Sequence, residues 1–180
     1  MRKLILLSAV LFLAALPAKA QSSYPSTEIF GGYSYVNAEF VDRHSLHGGG
    51  FSFAGNLSEK WGFVAETSFN FSKLTVADPI VGSIDIDFNK YFFLFGPRYS
   101  KRSDAATAFG HVLVGGARTK LENFDSGTGL ALGLGGGVDI NAGKKFAIRV
   151  FQLDYVPERS LGEWTNNFRA QVGVVFKFGQ

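Results

Sequence analysis

Residues 166–179 read NNFRAQVGVVFKFG, and two patterns interleave through them. Phe168, Ala170, Val172, Val174, Phe176 and Phe178 share one parity; Arg169, Gln171, Gly173, Val175 and Lys177 share the other. A period of two sustained this far describes a β-strand with one apolar face and one small or polar face bearing isolated charges. Soluble domains tend to end on a frayed polar tail. This strand needs a partner strand instead.

The pattern recurs upstream. Leu130, Leu132, Leu134, Val138 and Ile140 oppose Ala131, Gly133, Gly135, Gly137 and Asp139; Trp61, Phe63, Ala65, Phe69 and Phe71 oppose Gly62, Val64, Glu66, Ser68 and Asn70. Eight such segments are expected: Thr27–Asn37, His44–Leu57, Lys60–Leu74, Ser83–Ser100, Ala105–Arg118, Thr128–Asn141, Lys145–Val156 and Thr165–Phe178. No convincing helical stripe interrupts them. Short polar turns around SEK, KRSDA and NAGKK alternate with longer links near 38–43, 75–82, 119–127 and 157–164. That alternation predicts an up-and-down meander with its short turns and both termini at one end.

Residues 1–20, MRKLILLSAVLFLAALPAKA, read as a leader: Arg2 and Lys3, an apolar run, then the small-x-small pattern at Ala18 and Ala20. The expected division is therefore a signal peptide over 1–20 and one domain over 21–180. Of the 18 Lys+Arg, Arg2, Lys3 and Lys19 fall in the leader, so the rest of the chain balances the 15 Asp+Glu. A basic surface for nucleic acid is not expected. There is no cysteine, so disulfides do not hold the exported chain. After the leader the longest apolar run is YFFLF, 91–95, far too short for a spanning helix. If this chain enters a membrane, a closed barrel is the form it must take.

Periodicity alone does not say which face points inward. A soluble ligand-binding barrel is apolar inside and a membrane barrel is apolar outside. Three features favour the membrane form. The glycine-and-charge face suits a crowded narrow interior, and the strands are long enough to cross a bilayer obliquely. Aromatics also sit towards the strand ends: Tyr33, Tyr35, Trp61, Tyr91, Tyr99, Tyr155 and Trp164. Glu66, Asp139, Arg149, Asp154 and Arg169, with Arg98 and Lys177 as further candidates, then form an interior polar network whose charges must pair. In the seventh segment Arg149 and Asp154 are out of phase, and a bulge near Phe151–Gln152 would bring both inside. The fifth segment, with His111 and Leu113 against Val112, Val114 and Arg118, has no evident orientation. The fourth, with Asp85, Asp87, Tyr91, Phe93 and Phe95 in phase, faces outward only if the acids lie above the membrane.

Motifs that could carry chemistry read as structure. GLALGLGGGVD, 129–139, lacks the Gly-Lys-Ser/Thr of a phosphate loop and the third glycine of a dinucleotide fingerprint. Its alternate glycines leave room for interior neighbours. DIDFN, 85–89, has Lys90 where a calcium loop needs glycine and Gly96 where it needs the closing glutamate. His44, His47 and His111 match no zinc spacing. Ser45 follows His44 directly, unlike the His-x-Ser arrangement of barrel lipid A deacylases. No catalytic residue, metal site or cofactor is expected.

With its strand pattern and the segments AIRVFQLDYVPER and NNFRAQVGVVFKFG, the chain resembles the small eight-stranded outer-membrane barrels of the OmpA/OmpX-like superfamily. The resemblance implies an all-β, eight-stranded antiparallel up-and-down transmembrane barrel in the outer membrane of a Gram-negative bacterium. It implies a monomer with a structural or surface-interaction role, in contact with outer-membrane lipid and lipopolysaccharide. It also implies that Gln171, Gly173, Phe176 and Phe178 form the polar-x-Gly-x-x-aromatic-x-aromatic signal read by the outer-membrane assembly machinery. Gly179 and Gln180 extend beyond that signal. The peptidoglycan-binding role of larger members is not expected to carry over. A soluble barrel for a hydrophobic ligand, and a narrow solute pore, are the alternative readings.

Overall fold

The computed structural model describes residues 24–39, 43–78, 82–121, 127–160 and 163–179. The expected leader, with Ala18 and Ala20, lies outside the described residues. Eight strands follow one another: β1 Thr27–Glu39, β2 Arg43–Asn56, β3 Trp61–Asp78, β4 Gly82–Arg102, β5 Ala106–Leu121, β6 Gly127–Asn141, β7 Phe146–Ser160 and β8 Glu163–Phe178. Each pairs antiparallel with the next, and β8 returns to β1 to close the barrel. Closure removes the sheet edges, so every strand has a ladder partner on both sides.

The strands correct one expectation about the connections. Turns at 57–60, 103–105 and 142–145 are short, as expected. At the opposite, far end the links are also short, because the strands run on through the segments read as loops. The β3–β4 ladder continues through Val76↔Ile84 to Asp78↔Gly82. Thr75, Val76, Ile84 and Ile86 are β-branched, and an adjacent strand is present to take their backbone bonds, so the ladder persists. The far end is therefore distinguished by projecting strands and not by long loops.

Burial alternates along the strands, with the small and polar parity inside. Trp61, Phe63 and Phe95 are more than half exposed, whereas Glu66, Arg149 and Arg169 are buried. On β5, His111 and Leu113 face the lumen and Val112, Val114 and Arg118 face out. On β4, Asp87, Tyr91, Phe93 and Phe95 lie on the outward parity; the side chain of Asp85 lies outside the described residues. The inner parity of β4 is not simply small and polar. It carries Phe88, Lys90, Phe92, Leu94 and Arg98, all buried.

The lumen is consequently layered. Towards the far end Phe88, Phe92 and Leu94 pack with Val36, Leu46, Leu113 and Val156 in an apolar cluster. Towards the turn end the filling is ionic. The bulge on β7 falls at Val150 and Phe151, one residue earlier than expected: both are exposed, and the register steps from Arg149↔Gly173 to Gln152↔Gln171. One extra outward residue is what lets Arg149, Gln152 and Asp154 all point inward.

Two groups of glycines make room for this filling. A Cβ at Gly133 would press on Leu94 and Leu113, at Gly135 it would strike Asp154, and at Gly137 it would strike Phe109. At the closing seam Gly32 pairs with Gly173, and the Phe30 ring occupies the space beside both.

Candidate functional site

The ionic filling is assembled from six strands, with His111 of β5 beside it. Arg169 on β8 donates through Nε to Asp154 Oδ2 at 2.9 Å, and its Nη2 reaches Glu66 Oε2 on β3. Gln152 on β7 donates to Asp154 Oδ2 at 2.9 Å and to Glu66 at 3.2 Å, while its own Oε1 accepts from Arg149 Nη1 at 2.6 Å. Arg149 then forks onto Asp139 on β6, with Nε–Oδ1 at 2.8 Å and Nη2–Oδ2 at 3.1 Å. Arg98 on β4 lies 2.9 Å from Glu28 on β1 and 3.7 Å from Asp139, and Arg102 also meets Glu28 at 2.8 Å. Planar guanidinium forks satisfy two carboxylate oxygens at once, which is why arginine dominates such a crowded site.

Aromatic rings complete the packing. The Arg149 guanidinium sits 4.4 Å from the ring centroids of both Phe30 and Phe109, and Arg98 covers Phe109 at 4.3 Å. Cations stacked this way retain favourable contact after losing water. A separate buried pair, Lys90 with Glu158 at 2.7 Å, lies towards the far end and also engages Asn167 at 3.0 Å.

The five residues proposed from sequence as an interior network, Glu66, Asp139, Arg149, Asp154 and Arg169, thus lie in one connected cluster. Arg98 joins it, whereas Lys177 bonds Asn141 at the turn-end mouth. Glu28, His111, Gln152 and the Lys90–Glu158 pair are interior polar residues that the sequence reading does not place in that network. The alternation carried a signal for Glu28, which is in phase with Phe30 and Ser34. Nothing in the sequence marked the neutral Gln152 as the bridge.

His111 Nε2 is 2.8 Å from Asp154 Oδ1 and its Nδ1 is 3.8 Å from Glu66 Oε1. Glu66, His111 and Asp154 each bring a ligand atom within 4.8 Å of the others, so among the described residues they are the group that could hold a metal. Arg169 and Gln152 already engage both carboxylates there. The arrangement is chemically an ion-pair core, with positive charge supplied by arginine.

The outer wall carries the other functional candidate. Trp61 and Tyr99 stack edge-on at 5.1 Å at the turn end; Tyr91 meets Phe69 at 5.9 Å and Phe71 at 6.1 Å towards the far end. Beyond this apolar band the outward positions turn polar and charged, with Arg43, Lys73, Arg118, Lys120 and Arg159 exposed and outnumbering the exposed Asp87 and Glu163 among the described residues. Arg43 donates to Asn37 at 2.7 Å, and Glu39 accepts from Asn166 at 2.7 and 2.8 Å. The RHSLH segment is split between the faces: His44 turns towards Phe88 inside, while Ser45 and His47 face out. Tyr35 bonds Ser45 at 2.8 Å and Tyr33 bonds His47 Nδ1, so each is engaged by a tyrosine of β1.

Gln171 and Gly173 of the terminal motif lie on the inward parity of β8, and Phe176 and Phe178 on its exposed outer face.

No protein-family model matches the chain, and no curated protein matches its sequence. Solved structures do match its shape. Ail, the attachment invasion locus protein of Yersinia pestis, in complex with the heparin analogue sucrose octasulfate, aligns at TM-score 0.61 and 16% identity over 84% of this chain and 97% of that one. Neisserial surface protein A aligns at 0.65 and 12%, over 87% of this chain and 100% of its own. The outer membrane protein OprG of Pseudomonas aeruginosa aligns at 0.58 and 15%, over 87% and 97%. With its closed order of eight antiparallel strands, this chain has the fold of the small outer-membrane β-barrels.

Proposed function

We propose that this chain is an exported, monomeric outer-membrane barrel with a non-catalytic structural and surface-interaction role, and that its basic rim holds lipopolysaccharide. One observation carries the reading: the barrel is inverted relative to a soluble protein. Arg149 and Arg169 are buried at its centre, while Phe63, Phe95, Phe146, Phe151 and Phe176 stand exposed on its wall. An apolar wall of this extent is stable only against lipid. Residues 1–20 would be removed after Ala20, and the turn end with both termini would face the periplasm. The far end would then stand at the outer leaflet, where Arg118, Lys120 and Arg159 meet lipopolysaccharide phosphates. Ail's complex with a polysulfated sugar supports a polyanion partner for a barrel of this fold.

Gln171, Gly173, Phe176 and Phe178 are proposed as the contact read by the assembly machinery. The alternative of a soluble barrel for a hydrophobic ligand is opposed by the exposed wall, and that of a solute pore by the filled lumen. Cell fractionation with a detergent gel of unboiled and boiled samples tests the proposal. The folded protein should be found in the outer-membrane fraction and shift in mobility on boiling. Recovery in the soluble periplasmic fraction would overturn it.

A further inference from the structure

We propose that a groove on the outer wall of β2, β3 and β4 seats one acyl chain of lipid A, an inference that rests on the outer-membrane reading above. At two successive outward levels a small residue of β3 lies between two phenylalanines: Phe53↔Ala65↔Phe95 and Phe51↔Thr67↔Phe93. The phenylalanine rows stand two strand spacings apart, roughly 10 Å between backbones, and Ala65 and Thr67 form the floor. The depression is open and shallow, with a volume of about 340 Å³. Phe63 and Phe69 are the next outward residues of β3 on either side of this floor.

The lining fits a hydrocarbon chain and not a headgroup, because the walls offer only aromatic rings. The headgroup has its own counterpart nearer the far end. Tyr91 pairs with Arg118 and Asn89 with Lys120, and these in turn are level with Phe69 and Phe71 of β3. A phosphate held at Arg118 and Lys120 leaves its acyl chain to descend the wall towards Ala65, a few outward positions below. A phosphorylated multi-acyl lipid of the outer leaflet presents this combination.

The test is native mass spectrometry of the full-length protein, refolded in detergent and given hexa-acyl lipid A or its dephosphorylated form. Ala65→Phe with Thr67→Phe fills the floor on the lipid-facing side, and a mobility shift on boiling verifies that the barrel has formed. Retention of both lipids should fall roughly tenfold, the change expected for about 1.4 kcal/mol of lost contact. Arg118→Ala with Lys120→Ala should lower retention of the phosphorylated lipid alone. Unchanged retention in the filled variant overturns the groove while leaving the rim reading standing. Unchanged retention in the rim variant, with loss in the filled one, overturns the rim reading instead. A wild-type dimer that becomes monomeric when the groove is filled would identify a second copy as the occupant and overturn the proposal.

Discussion

Arg169 of β8 reaches across the lumen to Glu66 of β3, a strand it does not adjoin, and this contact ties opposite walls of the barrel together. Both residues are buried, so neither charge can fall back on water. Truncating one partner leaves the other charge uncompensated, a change that costs about 3–5 kcal/mol. Arg169→Ala should lower the urea midpoint of refolded protein accordingly. Glu66→Gln and Asp154→Asn with Arg169→Met, which neutralises both carboxylate partners of the arginine, should recover much of that loss. An Arg169→Ala barrel as stable as wild type would contradict a paired core.

The Lys90–Glu158 pair offers an independent check, because it lies beside the apolar cluster, with Lys90 over the Phe92 ring and bonded to the neutral Asn167. Lys90→Met alone should destabilise the barrel by about 3–5 kcal/mol, while Lys90→Met with Glu158→Leu should return it close to wild type or above. Equilibrium unfolding in detergent reads both. A double variant as damaged as the single one would show that the pair is not self-contained.

Gly173 belongs to the proposed assembly signal, yet the folded barrel gives it a packing task. A Cβ there would lie 2.6 Å from the Gly32 Cα and 2.9 Å from the Phe30 ring. Gly173→Ala should therefore slow or weaken refolding of the purified chain with no assembly machinery present, at a cost of about 1–3 kcal/mol. A variant that refolds normally in detergent but fails to assemble in cells would assign the glycine to recognition alone.

The β7 bulge fixes which side of the wall its charges take. Deleting Val150 alone leaves Arg149, Gln152 and Asp154 on one face of a regular strand, but deleting Val150 and Phe151 together joins Arg149 to Gln152 and turns either Arg149 or the Gln152 and Asp154 pair towards lipid. Arginine on the lipid face at mid-membrane costs about 2–4 kcal/mol before the lost ion pairs are counted. The double deletion should abolish the heat-modifiable folded form on a detergent gel, whereas deletion of Val150 alone should keep it.

The lumen is filled at two depths, by Arg149 stacked between Phe30 and Phe109 and by the apolar cluster around Phe88 and Phe92. Planar-bilayer recordings of the wild-type protein should show no discrete openings. Stepwise conductance would mean that this filling moves aside.

Strand number, parity and the need for a β7 bulge were all legible in the residues, because β-structure has a period of two and charges out of phase betray an inserted residue. Parity stopped short where both faces of a strand were mixed. On β5 the histidine and the leucine share one face and two valines the other, so hydropathy alone assigned neither. Loop length also misled, since residues 75–82 read as a longer link, whereas the β3–β4 ladder runs on to Asp78↔Gly82 once a neighbouring strand is present to take its backbone bonds.

By itself the sequence determined a closed β-barrel, which residues of each clear strand share a face, and that the two faces differ in polarity. Only the tertiary structure decided that Arg169 meets Glu66, that Arg149 lies between two phenylalanines, and that His111 turns inward beside Asp154. The reason is geometric. Alternation is set within one strand by its pleat, but partners across a lumen depend on the stagger of all eight strands around the closed wall.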